Sequence, residues 1–503
     1  MPDRARTKVT VATEWHRGPI DDRLFGSFVE HLGRCVYTGI YEPDHPTADA
    51  WGFRGDVAAL VQELGVTLVR YPGGNFVSGY DWRDGIGPRT ERPRRLDLAW
   101  RTIESNQVGT DDFLQWAARV GVEPMMAVNL GTAGIREAAE LVEYCNLERG
   151  TTLSDLRRQH GAESPYGVRL WCLGNEMDGP WQIGHKTADE YGRLARETGH
   201  AMRLVDPSIE LVVCGSSGAW MDTFGSWEST VLDHAWDVAD YVSLHAYYEE
   251  TGGDRASFLA SGAAMDRFIE DVVATVDAVA ARKRSRKRLR LSFDEWNVWY
   301  QSRYADPQHS PIDEAAPRLE DVYGTVDAVV VGDLLMSLVN HADRVAIGCL
   351  AQLVNVIAPI RTDPGGAAWR QAIFHPVAET IRRARGRRSL IVGVEGGELA
   401  TAQHGDVPEV AAAATHDPVS GQITVFLTNR ADTVVPVDVR HGGVATWRRA
   451  RASTVVADER GPLHDAAAAG TARPVELTRA VTQDGVTRLD LPPRSWTVLD
   501  AVE

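Results

Sequence analysis

Cysteine is scarce in this chain, and none of it is arranged to bind metal. Cys35, Cys145, Cys172, Cys214 and Cys349 are odd in number and widely scattered among 503 residues. That excludes a CxxC or Cys/His zinc site and argues against a disulfide framework. Cys172, Cys214 and Cys349 lie inside apolar strand-like runs, the usual setting of a buried free thiol. No apolar run approaches the length that spans a bilayer, and the charged opening Met1-Pro2-Asp3-Arg4 continues without the apolar stretch of a signal peptide. Positive charge is also short, with 53 Lys and Arg against 70 Asp and Glu and a net charge of −17. Such a balance disfavours the phosphates of nucleic acid as a partner. The one basic run, Arg282 to Arg290, reads as a solvated helix C-terminus, where cations complement the helix dipole. These absences describe a reduced, cytoplasmic enzyme for a neutral substrate, with neither a membrane nor a nucleic acid as partner.

What is present is a chain too long for one growing core, so two domains are expected. From Leu24 to about Ile360, short apolar runs alternate with helical patterns. The runs are Leu24–Glu30, Thr67–Tyr71, Pro124–Asn129, Arg169–Gly174, Glu210–Gly215, Tyr241–Ala246, Leu289–Asp294 and Val345–Leu350. Segments such as Ala188–Leu204, Ala256–Ala281 and Asp321–His341 carry apolar residues at three- and four-residue spacing. Eight strands alternating with helices imply an α/β fold, a parallel (β/α)8 TIM barrel. The alternative, an open doubly wound sheet, lacks any Gly-rich dinucleotide loop after a strand. Beyond about Gly386, Val- and Thr-rich runs separated by Gly, Asp and Pro predict a C-terminal antiparallel β-sandwich. Lys8–Glu14 is strand-like and has no helical partner.

Two segments present a carboxylate in a setting suited to cutting sugars. Trp171-Cys172-Leu173-Gly174-Asn175-Glu176 and Leu291-Ser292-Phe293-Asp294-Glu295-Trp296-Asn297 each end an apolar run in a polar tip with Glu, Asn and tryptophan. A glycosidic bond is cut by two carboxyl groups flanking the anomeric carbon. In a barrel, residues just after each strand line one rim. That rule gathers Glu30, Arg70, Asn75, Asn175, Glu176, His245, Tyr247, Glu295 and Gln352, with Glu176 after the fourth strand and Glu295 after the seventh. Asp294 adjoins Glu295, but neighbouring strand residues point to opposite faces, so only one of the two is expected to face the barrel axis. Asp178 is a weaker candidate for proton transfer than Glu176 and more plausibly orients a neighbour.

Asn175-Glu176 with a second Glu about 120 residues later resembles the clan A glycoside hydrolases. Gly26-Ser27-Phe28-Val29-Glu30-His31, Val69-Arg70-Tyr71-Pro72-Gly73-Gly74-Asn75 and Ser243-Leu244-His245-Ala246-Tyr247 narrow the resemblance to the family-51 α-L-arabinofuranosidases. It implies a retaining, exo-acting enzyme in which Glu176 is the acid/base and Glu295 the nucleophile. The substrates implied are neutral arabinofuranosyl oligosaccharides, with no cofactor and no metal. Glu30, Asn75 and Asn175 become ligands of sugar hydroxyls, while Arg70 and Tyr247 hold the Glu295 carboxylate. His245 and Gln352 join the site less firmly, since a histidine at a strand end is often structural. Trp100, Trp181 and Trp299 could stack on sugar, though among 15 tryptophans any single one is more often core. The resemblance also implies that residues 1–19 join a C-terminal jelly-roll over 386–503, around a catalytic barrel over 20–385. It further implies a homo-oligomer, often a hexamer. The polar stretch 301–318 is a candidate substrate loop. Other readings are a different clan A specificity, a metal-dependent sugar isomerase on the same barrel, and a non-catalytic sugar-binding protein.

Overall fold

The structure, a computed structural model, describes residues 5–304, 312–442, 449–458, 461–477, 480–483 and 485–502. Positions 305–311 of the candidate substrate loop therefore lie outside the described residues. Eight parallel strands close into a barrel in chain order. They are β1 (Gly26–Phe28), β2 (Leu68–Tyr71), β3 (Glu123–Val128), β4 (Leu170–Leu173), β5 (Glu210–Val213), β6 (Tyr241–Tyr248), β7 (Arg290–Val298) and β8 (Val345–Leu350). Strand β8 pairs back onto β1 through Cys349 and Gly26. Every residue of β4 and β8 is buried, which is why these strands read as unbroken apolar runs rather than alternating ones. The main departure is length. Strands β6 and β7 run past Ala246 and Asp294 to Tyr248 and Val298, so Glu295 stands on its strand and not beyond it.

The helices between strands begin where local chemistry sets them. Thr187 and Glu190 cap each other's backbone N–H groups at the start of Ala188–Val205, which removes two orphan donors of the first turn. Ser261–Arg282 ends at the basic run, but that run is more than a solvated terminus. Arg282 pairs with Asp233, Arg288 with Asp343 and Arg290 with Asp21, tying the closed end of the barrel together.

Thr325–Asn340 is the helix on which the two halves meet. It is buried from Thr325 to Val339, as a helix whose residues are mostly apolar on every face must be. Ala413, Phe426, Val455, Trp496 and Val498 of the C-terminal sheet join its apolar cluster. At Gly332 a Cβ would lie 2.5 Å from the Trp496 ring, so helix and sheet approach as closely as glycine permits. Buried Asp333 meets Arg430 at 2.8 Å.

Among the described residues the C-terminal sheet has ten strands, and Thr7–Pro19 is one of them. It lies antiparallel to Arg388–Glu395 and parallel to Val435–His441. Val9, Val11, Val425, Val437, Leu489 and Leu499 form a second apolar cluster apart from the barrel's. Strands far apart in the sheet share that cluster, so the sheet folds over on itself as a sandwich. A chain cut to residues 20–385 would expose the outer face of Thr325–Asn340 and should collect in the insoluble fraction on expression. A soluble, active barrel from that truncation would show that the sandwich is dispensable.

Candidate active site

At the end of β4 the chain turns sharply, with Gly174 at φ +89° and Glu176 at φ +43°. A left-handed backbone is uncommon outside glycine and clusters where geometry is demanding. It sends the Glu176 carboxylate across the barrel mouth. There Oε1 lies 2.9 Å from His245 Nδ1, and Oε2 accepts from Trp181 Nε1 at 2.7 Å. Glu295, from β7, accepts from Arg70 Nη1 and from the Tyr247 hydroxyl, each at 2.7 Å. Arg70 also donates from Nη2 to Asn175 Oδ1 at 2.6 Å. Oxygens of Glu176 and Glu295 lie within 4.8 Å of one another, with His245 between them.

Glu30 sits on the opposite wall. It accepts from the Phe76 amide at 3.0 Å, Trp100 Nε1 at 2.9 Å and Gln352 Nε2 at 3.1 Å. Trp100 is held by a short hairpin, Arg95–Leu96 with Ile103–Glu104. Asp97 accepts its backbone amide, and His31 anchors Glu104 at 2.8 Å. The glycine pair Gly73-Gly74 makes room for this floor. A Cβ on Gly73 would lie 2.6 Å from Glu30 Cγ, and one on Gly74 would lie 3.1 Å from Glu295 Oε1.

Asp294 departs from expectation. It too points into the barrel, accepting from Ser243 Oγ at 2.5 Å and lying 3.2 Å from His245 Nε2 and 3.8 Å from Arg70 Nε. Strict alternation would forbid this. The register of β7 shifts between Ser292 and Glu295 against β6 and between Phe293 and Trp296 against β8, and such a bulge lets adjacent side chains share a face. The two carboxylates lie at different depths, with Asp294 beneath and Glu295 at the pocket surface.

The protonation pattern follows from burial and charge. Burial opposes the charging of His245, but Glu295, Asp294 and Glu176 around it outweigh that and raise it to about 10. Burial would likewise raise Asp294, yet Arg70 and His245 hold it below the usual range. Burial raises Glu176, and the Glu295 charge adds to this. Glu30 is pushed up to about 8, first by burial and then by Glu295. Arg70 and His245 thus face Asp294 and Glu295, while burial and like charge push the two further carboxyls, Glu176 and Glu30, upward.

The same atoms bear on metal binding. Glu176, His245 and Glu295 offer three ligand atoms near one point. A divalent ion would have to displace the His245 proton and sit beside the Arg70 guanidinium, so this donor set is already compensated.

Around the carboxylates opens a pocket of about 620 Å3. Its wall includes Glu30, Asn75, Trp100, Glu176, Trp181, Tyr247, Glu295, Trp299 and Gln352. Arg70, Asn175 and His245 lie behind that wall, buried; Arg70 and His245 contact the carboxylates, and Asn175 accepts from Arg70. Gln301 and Tyr304 of the candidate substrate loop also line it; Ser217, Trp220, Leu319 and Ile357 do too and were not foreseen, because nothing in their sequence neighbourhood distinguishes them from ordinary loop and core residues. Asp178 accepts from Ser217 N at 3.0 Å and from its hydroxyl, orienting a neighbour as expected. Among the described residues, buried polar atoms at the site without a hydrogen-bond partner include Asn175 Nδ2, Gln352 Oε1 and Trp299 Nε1. Buried polar atoms rarely stay unpaired. A second recess of about 500 Å3, between Trp82, Met126 and Leu141, includes neither Glu176 nor Glu295 in its wall.

Comparison with known proteins gives a consistent result. Residues 60–267 match the α-L-arabinofuranosidase 1 domain and residues 294–495 the α-L-arabinofuranosidase C-terminal domain. The chain is 53% identical to an intracellular exo-α-(1→5)-L-arabinofuranosidase 1 of Bacillus subtilis, covering 88% of each. It is 48% identical to an exo-α-(1→6)-L-arabinofuranosidase of Bifidobacterium longum, covering 98% of this chain and 97% of that one. A solved family 51 α-L-arabinofuranosidase from Bifidobacterium longum superposes with a TM-score of 0.94 at 43% identity over 99% of both chains.

Arg70 provides the test of this charge arrangement. Arg70→Ala leaves Asp294 and Glu295 buried without a fixed cation and should cost about 3–5 kcal/mol of stability, read as a lower unfolding midpoint. Arg70→Lys keeps the charge but cannot make the fork to Glu295 and Asn175. It should retain most stability and lose roughly 10²-fold in kcat/KM; unchanged turnover in that variant would remove Arg70 from the mechanism.

Proposed function

The chain belongs to the family-51 α-L-arabinofuranosidases, and from that premise we propose that it releases single α-L-arabinofuranosyl residues from non-reducing ends of arabino- or arabinoxylo-oligosaccharides, with retention of configuration. The observation that carries the retaining mechanism is the approach of Glu176 and Glu295 oxygens to within 4.8 Å. A double displacement needs carboxyls roughly 5–5.5 Å apart, whereas inversion needs about 6.5–9.5 Å to admit a water.

In this reading Glu295 attacks the anomeric carbon while Glu176 gives its proton to the departing oxygen. The bond to the leaving group breaks, and a covalent glycosyl-enzyme on Glu295 remains. Esterification removes the Glu295 charge, which is one cause of the raised Glu176 pKa. Glu176 then falls towards an ordinary carboxylate and takes a proton from the incoming water. Arg70 and Tyr247 orient the nucleophile and stabilise it again as it leaves. Glu30, Asn75 and Gln352, which line the pocket, hold the sugar's hydroxyls, with Asn175 just behind them. Trp100 and Trp299 shield the ring from water. An exo mode is supported by the relatives' names and by a pocket of oligosaccharide-end size. Those relatives are named for α-(1→5) and α-(1→6) linkages, so linkage preference is set outside the features the family shares. A cytoplasmic site of action fits relatives named intracellular, and among the described residues no helix is long and apolar enough to cross a membrane. Assembly as a homo-oligomer, a hexamer by resemblance, completes the proposal.

Two measurements test the division of labour. Glu176→Ala should still form the glycosyl-enzyme from a dinitrophenyl arabinofuranoside, and azide should rescue turnover to an azide of unchanged configuration. Glu295→Ala should trap no adduct, and any rescue should invert. An adduct on Asp294, or inversion by the Glu176 variant, would reverse the assignment.

The pH profile gives an independent check. Trp181 Nε1 donates to the ionised Glu176 and holds its pKa down. In Trp181→Phe that support is gone, Glu176 keeps its proton to higher pH, and the alkaline limb of kcat/KM should move upward. A downward move would place the titrating acid elsewhere.

A further inference from the structure

Two indole faces stand at the mouth of the pocket on the side of the proton donor. Trp181 follows β4 and Trp220 follows β5, and both line the pocket. Trp220 is 72% exposed and Trp181 42% exposed, a large apolar area to leave open to water unless something covers it. Neither ring hangs free. A Cβ on Gly179 would lie 2.5 Å from the Trp181 ring and one on Gly218 would lie 2.4 Å from Trp220 Nε1, so each indole is seated over a glycine of its own loop. The two loops are joined by Asp178, which accepts from the amide and hydroxyl of Ser217. The ring centroids are 5.7 Å apart and the planes tilted by 32°. Inserting a sugar between two rings needs a gap of roughly 7–8 Å, twice the carbon–carbon contact distance. At 5.7 Å the rings touch each other and present one continuous surface.

The position of that surface is set by a hydrogen bond. Trp181 Nε1 donates to Glu176 Oε2, and Glu176 is the group read above as protonating the departing oxygen. Whatever sugar carries that oxygen must leave past Trp181 and Trp220. Glu30, Gln352, Trp100 and Trp299 enclose the other part of the pocket, where the terminal residue is held. We propose that Trp220, seated against Trp181, is the stacking platform for the leaving-group sugar, a neutral pyranose or furanose ring, and so determines which aglycones and linkages are cut. This rests on the reading of Glu176 as the proton donor. Sugar rings offer C–H faces to aromatic surfaces and carry no charge, which suits a platform on which, among the described residues, no cation stacks.

The test compares kcat/KM on an α-L-arabinofuranosyl disaccharide with kcat/KM on methyl α-L-arabinofuranoside, which has no leaving-group ring. The ratio of the two should fall about 3- to 10-fold in Trp220→Ala. It should also fall in Gly218→Ala, which keeps the indole but unseats it, and should recover in part in Trp220→Phe. Trp15→Ala, an exposed tryptophan on the N-terminal strand, should leave the ratio at the wild-type value. A Trp220→Ala ratio equal to wild type, or an equal fall on both substrates, would overturn the proposal. A wild-type enzyme inert on both arabinofuranosides would instead overturn the hydrolase reading beneath it, a result the variants cannot mimic.

Discussion

Everything at the barrel mouth is arranged around one buried guanidinium. Arg70 is 1% exposed, sits 4.9 Å over the Phe28 ring and reaches Glu295, Asn175 and Asp294 with three different nitrogens. A guanidinium cannot give up its proton in a protein, so it is a fixed positive charge in a dry place. Carboxylates gathered there are ionised only as far as cations allow. Arg70 and His245 supply two charges, and the two carboxyls pushed upward are Glu176 and Glu30. The upward push on Glu176 is thus a consequence of local charge balance and burial, not of any property of Glu176 alone.

Such a balance survives only if the groups cannot drift. The glycines at 73 and 74 let the backbone lie against Glu30 and Glu295, and the bulge in β7 stacks Asp294 under Glu295. Asn297, further along β7, donates to the carbonyls of Ala351 and Ile357 and so steadies the loop that carries Gln352. The wider frame adds to this. Thr325–Asn340 is gripped by the barrel on one side and the sandwich on the other, and Thr7–Pro19 ties the chain's beginning into the same sandwich. Rigidity at the site therefore draws on residues far from it in sequence.

Much of this was legible before any coordinates. Each barrel strand overlaps its apolar run because parallel strands buried on both faces leave an unbroken hydrophobic signal. Glu176 and Glu295 were visible as polar tips on such runs. The harder features are the non-local ones. Nothing in Ser292-Phe293-Asp294-Glu295 announces a bulge, so alternation wrongly sent Asp294 outward. Trp220 is one of many tryptophans in a loop of Gly, Ser and Ala, and only its seat beside Trp181 sets it apart.

By itself the sequence determined the class of fold, a barrel with a sandwich, and the family to which the chain belongs. Those depend on local periodicity and on residue types beside one another in the chain. The tertiary structure alone decided how far apart Glu176 and Glu295 stand, that Asp294 supports His245 from below, and which carboxyls are pushed upward. Distances between strand ends, and the dielectric and charge felt at one atom, arise from residues brought together across the barrel. No local pattern encodes them.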